Sequence, residues 1–116
     1  MEKITIKRDG RKPITFTGEM IGKASSHSHQ GDKQNRWTEV EIYLTRGGNY
    51  VALLVRRTCW QGESDRLDAE VCLTPADVIA FLSEGEPELG TVSQEAVEKA
   101  AKNDEAFAKA WIEEVE

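Results

Sequence analysis

The sequence predicts an α+β fold: an antiparallel five-stranded meander with one helix packed on a face and a C-terminal helical tail. Three observations predict it. Apolar and polar residues alternate through short runs between residues 3 and 73, the period of half-buried strands. Asp9-Gly10 and Gly47-Gly48 punctuate those runs with turn chemistry. After residue 74 the apolar spacing changes to three and four, the period of a helix.

Residues 1–22 read as two strands, with Ile4 and Ile6 in the first and Ile14 and Phe16 in the second. A strict two-residue turn at Asp9-Gly10 would set Thr5 opposite Ile14 and place the two apolar sets on opposite faces. A longer loop or a bulge is therefore expected. Residues 23–35 are almost wholly polar and read as a solvated loop.

Arg36 to Trp60 reads as a hairpin about Gly47-Gly48, which accept the positive φ angles of a tight turn. With those two glycines central, Leu44 faces Val51, Ile42 faces Leu53 and Val40 faces Val55. The other face sets Glu39 against Arg56 and Tyr43 against Ala52. Residues 61–67 form a polar turn carrying Gly62. Ala69, Val71 and Leu73 then alternate with Asp68, Glu70 and Cys72 as a fifth strand.

Thr74-Pro75-Ala76-Asp77 is a helix start: Thr as N-cap, Pro at the first position, Asp near the positive end of the dipole. Val78, Ile79, Phe81 and Leu82 supply its buried stripe, and Gly85 its stop. The division expected is a sheet-and-helix domain over 1–85, a linker over 86–90 and an acidic amphipathic tail over 91–116. Thr91 and Gln94 have capping-box spacing. Asn103-Asp104 is a point where the tail breaks and restarts. Phe107, Ala108, Trp111, Ile112 and Val115 continue its apolar stripe.

The charge is unevenly divided. Through residue 60 there are eleven Lys and Arg against six Asp and Glu; thereafter there are four against fifteen, giving the formal net charge of −6. Such a division implies two surfaces with different partners, or one half facing the other. The acidic total argues against a general polyanion binder. No apolar run reaches a membrane span, and residues 1–5 hold no apolar leader. Two cysteines without a leader point to a cytoplasmic, reducing setting.

Arg36-Trp37-Thr38-Glu39, Tyr43-Leu44-Thr45, Gly47-Gly48, Tyr50-Val51, Arg57-Thr58-Cys59-Trp60-Gln61-Gly62-Glu63 and Ala69-Glu70-Val71-Cys72 carry a resemblance. Lys7-Arg8-Asp9-Gly10 and Phe16-Thr17-Gly18-Glu19 extend it, so that it covers roughly residues 3–83. Together they resemble an uncharacterised family of small bacterial proteins associated with plasmids and integrative elements. The resemblance implies bacterial accessory biology in the cytoplasm. It carries over no activity and no site residue.

The chemistry-bearing constellations are few. His27 and His29 point to one side of an extended segment, but a zinc site needs three or four ligands and only Asp32 is near. Two solvated loop histidines is the simpler reading. A turn centred on Asp65-Arg66 would place Cys59 opposite Cys72, as a cross-strand pair or as two small buried hydrophobes. Glu63, Asp65, Asp68 and Glu70 form an acidic turn. No phosphate loop, nucleophile elbow or metal-binding helix motif is present, so no catalytic residue, metal or cofactor is expected.

The binding candidates are Arg36, Trp37, Arg56, Arg57, Trp60 and Glu63, with Trp111 on the tail. Aromatic and guanidinium groups anchor protein interfaces, and on a sheet face they also stack bases and meet phosphates. Alternatively the tryptophans fill the core and the arginines pair with Glu39, Glu63 or Glu70. The expectation drawn is a non-enzymatic mobile-element protein that modulates or inhibits a protein or nucleoprotein machine, of the anti-CRISPR or anti-defence type. The alternative is a small nucleic-acid-binding module using a basic aromatic sheet face. The tail helix is a candidate homodimer arm or an acidic surface that occupies a partner's nucleic-acid-binding channel, or packs on its own sheet.

Overall fold

A computed structural model describes residues 1–26 and 36–112. Five strands run in the order of the sequence: β1 Glu2–Arg8, β2 Arg11–Ser25, β3 Arg36–Thr45, β4 Tyr50–Thr58 and β5 Arg66–Cys72. Every neighbouring pair is antiparallel. Three helices follow: α1 Pro75–Ser83, α2 Thr91–Asn103 and α3 Glu105–Trp111. The fold is the expected α+β meander.

The first hairpin keeps the two-residue turn and adds the bulge. Arg8 faces Arg11 across Asp9-Gly10, and the register then shifts so that Ile6 meets Ile14 and Ile4 meets Phe16. Both apolar sets thereby reach one face.

A second bulge lies in β2, which is longer than the sequence suggested. Met20 pairs with Tyr43 but Gly22 pairs with Ile42, leaving Ile21 as the extra residue. One inserted residue reverses the alternation. Ile14, Phe16 and Gly18 therefore belong to one face, and Ile21, Gly22 and Ala24 serve the other.

The β3–β4 register differs from the expected one by a residue. Leu44 faces Tyr50, Ile42 faces Ala52, Val40 faces Leu54 and Glu39 faces Val55. The reason is the loop. Thr45 donates its N–H to the Asn49 carbonyl at 2.8 Å, and its Oγ1 accepts from the Asn49 N–H at 3.0 Å. Only Gly48 has positive φ, at 87°. Three residues thus separate the last pair, with Gly48 taking the left-handed position of a bulged turn.

With this register both faces of β4 are buried, from Tyr50 to Val55. Ile6, Ile14, Tyr43, Val51, Leu53, Val55 and Ala69 form a core on one face. The sheet curls round that core until β1 reaches β5. The Asp9 N–H donates to the Leu67 carbonyl at 3.0 Å, and the Leu67 N–H donates to Asp9 Oδ2 at 2.7 Å. An Arg11–Glu70 ion pair closes the same seam.

The helices cover the other face. Thr74 Oγ1 accepts from the Asp77 N–H at 3.1 Å, and α1 buries Val78 and Leu82. Helix α2 buries Ala96, Val97 and Ala100, and α3 buries Phe107, all in one core with Val40, Ile42, Ala52 and Leu54. Segment 86–90 thus joins two parts of one core, and the tail packs Ala96, Val97, Ala100 and Phe107 on this chain's own sheet, while Ile112 is exposed and Val115 lies outside the described residues.

The expected capping box does not form. Gly90 is the N-cap of α2, Thr91 is already helical, and the Gln94 side chain donates to Glu98 at 3.0 Å. The expected break does form: Asp104 is extended between α2 and α3, with φ −145°. Its carboxylate accepts from Tyr50 Oη at 2.6 Å, and Tyr50 stacks edge-on against Phe107 at 5.1 Å. Burial, then the bond to Asp104, pushes the Tyr50 phenol up to about 12.

Candidate functional site

The arginine-rich ends of β3 and β4 and the turn that follows meet at one end of the sheet. The Glu63 N–H donates to the Trp60 carbonyl at 3.2 Å, and Gly62 takes φ 86°, so Trp60 to Glu63 is a tight turn. Trp60 rides on it at 52% exposure. Arg36 meets Glu63 with two parallel bonds, Nε to Oε1 at 3.1 Å and Nη2 to Oε2 at 2.6 Å. Its guanidinium lies 6.0 Å from the Trp60 ring centroid. Thr58 Oγ1 donates to Glu63 Oε1 at 2.6 Å and accepts from the Trp60 N–H at 3.2 Å. The Arg36 bond, then the Thr58 bond, holds the Glu63 carboxyl below its usual value.

The expected single basic, aromatic face is divided in two. Strand alternation forces Arg36 and Trp37, and likewise Arg56 and Arg57, to opposite sides of the sheet. Trp37 pairs with Arg57 on the side of the curled core, and Arg36 with Thr58 on the helix side. Trp37 is half-buried, and its Nε1 donates to Glu39 Oε2 at 2.8 Å. Arg57 reaches the same carboxylate at 3.1 Å and Asp65 at 3.0 Å. Asp65 also accepts the Thr58 N–H at 2.9 Å; that bond, then Arg57, holds its carboxyl low. Arg56 pairs with Glu84 and, at 3.7 Å, with Asp68, which Arg66 meets at 3.3 Å.

This is the meeting of the basic and acidic halves. The four arginines at this end are matched by five carboxylates: Glu39, Glu63, Asp65, Asp68 and Glu84. A groove of about 590 Å³ remains among Arg36, Trp37, Arg56, Arg57, Glu63 and Arg66. The acidic turn singled out by sequence is thus a set of arginine partners.

Trp111, the remaining binding candidate, is half-buried against the helix-side core. Cys59 and Cys72 are not opposed: Cys72 faces Tyr50 in the β4–β5 ladder, and no disulfide joins the two. The expected register placed the turn at Asp65-Arg66, whereas Arg56 pairs with Arg66 and the turn comes earlier. Burial, aided by Asp77 and Glu70, pushes the Cys72 thiol up to about 11. His27 and His29 lie outside the described residues. Among the described residues no three metal-ligating side chains gather, and no helix is long and apolar enough to cross a membrane.

Sequence reasoning did not foresee Asp65 and Glu84 as arginine partners, because those pairings are set by the β4–β5 register and the α1 stop. The only local signal was the acidic excess after residue 60. No protein-family model, curated protein or solved structure matches the chain.

Proposed function

We infer that this chain is a small non-enzymatic bacterial protein that binds a protein or nucleoprotein machine through the Arg36–Trp60–Glu63 face. The reading extends to a mobile-element protein of the anti-CRISPR or anti-defence type, acting in the cytoplasm by occupying a partner's surface. The observation that carries the binding role is Trp60, half exposed on a hydrogen-bonded turn with Arg36 held beside it by Glu63. Aromatic and Arg side chains held in one geometry before contact lose little entropy on binding, which is how interface anchors work. The mobile-element part rests on the sequence resemblance alone.

The charge count disfavours the nucleic-acid alternative at this end, because every arginine there already meets a carboxylate. The test is a tagged pull-down from bacterial lysate, with and without nuclease, using wild type and Trp60→Ala. A protein that survives nuclease and is lost with Trp60→Ala supports the reading. Recovery of nucleic acid only, or a partner indifferent to Trp60, refutes it.

A further inference from the structure

Among the described residues one stretch of sheet edge is both open and basic. β1 pairs with β2 only as far as Glu2 opposite Gly18, while β2 continues to Ser25. Beyond Gly18, among the described residues, β2 is hydrogen-bonded in the sheet on the β3 side alone. The Ser26 N–H donates to the Thr38 carbonyl at 2.9 Å, so alternation aims the N–H and C=O of Lys23 away from β3. On that same side Asn103 Nδ2, from the end of α2, caps the Ile21 carbonyl at 2.9 Å. A groove of about 600 Å³ runs along this edge, between Met20–Ser25 and the Lys99–Asn103 turn of α2.

Lys23, Lys99 and Lys102 line this groove and are exposed. Unlike the arginines around Trp60, none of them forms an ion pair among the described residues. Glu41, directly across the ladder from Lys23, accepts instead from Tyr43 Oη at 2.6 Å. The lysines flank the edge from both sides of the sheet. Gly22 and Ala24 face α2, so Lys23 points to the opposite face, while Lys99 and Lys102 stand on the helix. An added strand sends alternate side chains to those two faces.

We propose that the β2 edge from Met20 to Ala24 takes an acidic, extended segment of a partner protein as an added strand. Backbone bonds to Lys23 supply the pairing, and the lysines on both faces select carboxylates. This surface is separate from the Trp60 face and does not depend on it.

The probe is a seven-residue capped peptide with three consecutive glutamates between β-branched residues. The same peptide with lysines is the control. Amide spectra of the full chain, hydrogen exchange and titration give the readouts. Expected are shifts at Met20 to Ala24 and at Lys99 and Lys102, slowed exchange of the Lys23 amide, and no response to the lysine peptide. Lys99→Glu with Lys102→Glu, on the exposed side of α2, weakens binding by about tenfold, and 500 mM salt does likewise. Trp60→Ala leaves it unchanged. No shift at about 1 mM peptide, or binding indifferent to charge reversal, overturns the proposal. So does an oligothymidine that shifts these amides where the peptide does not, since the groove would then take a polyanion and not a strand.

Discussion

Replacing Gly22 by Ala tests the packing that joins the tail to the sheet. A Cβ at Gly22 would meet the Ala96 carbonyl oxygen at 2.3 Å, the Ala100 nitrogen at 3.0 Å and the Ala100 Cβ at 3.1 Å. The first two are backbone atoms of α2, so no side-chain rotation relieves the clash. The helix must lift by most of an ångström, loosening Ala96, Val97, Ala100 and Phe107, all fully buried. Overpacking costs about 1–3 kcal/mol where side chains can adjust, and a backbone clash belongs at or above the top of that range. Taking about 3 kcal/mol and the unfolding entropy usual for a chain of this size, the melting temperature falls by about 12 °C. Gly47 is the control: its nearest neighbour is Thr45 Oγ1 at 3.9 Å and its φ is not positive. Gly47→Ala changes stability by no more than about 0.5 kcal/mol. The assay is urea and thermal unfolding followed by circular dichroism, with amide exchange along α2. A Gly22→Ala protein within about 1 kcal/mol of wild type, with α2 still protected, would refute the seating of α2 on β2.

Further outcomes follow from the polar contacts. Tyr50→Phe removes the donor to Asp104 and costs about 1.5 kcal/mol, with faster exchange at the start of α3 as its signature. Asp65 has a lowered pKa, so its contribution is complete above the unfolded value and is lost as pH falls through the folded one. The Thr58 amide shift therefore titrates with a midpoint below about 3.9, and Asp65→Asn abolishes that titration. Cys59 is exposed and Cys72 buried, so a thiol reagent at pH 8 modifies one cysteine in the folded protein and both in urea. Trp60→Ala leaves the unfolding free energy within about 0.5 kcal/mol of wild type, which separates its binding role from folding.

The sequence was most legible where one local rule acts alone. The Thr74 cap, the Asp9-Gly10 turn with its bulge, and the break at Asn103-Asp104 all follow from residue chemistry within a few positions. The β3–β4 register was missed because Gly47-Gly48 suit a two-residue turn in isolation, while Thr45 and Asn49 bond across it to make a longer one. The corrective signal was present in Tyr50 to Val55, six apolar residues without alternation, the pattern of a strand buried on both faces. The same alternation, applied to Arg36-Trp37 and Arg56-Arg57, separates the supposed single face into two. By contrast, nothing local marks Ile21 as an extra residue or brings Lys23 beside Lys99 and Lys102. Those depend on where α2 comes to rest.

The bulge at Ile21 has a mechanical consequence. One uninterrupted strand lines the curled core with its first half and the helix-side core with its second, so β2 acts as a beam common to two rooms. Neither core can be excised as a working fragment, because a cut between Gly18 and Gly22 removes a wall from both. Strain introduced at either end of β2 is carried to the other through a covalent, hydrogen-bonded rod, and the two cores are expected to open in a single step.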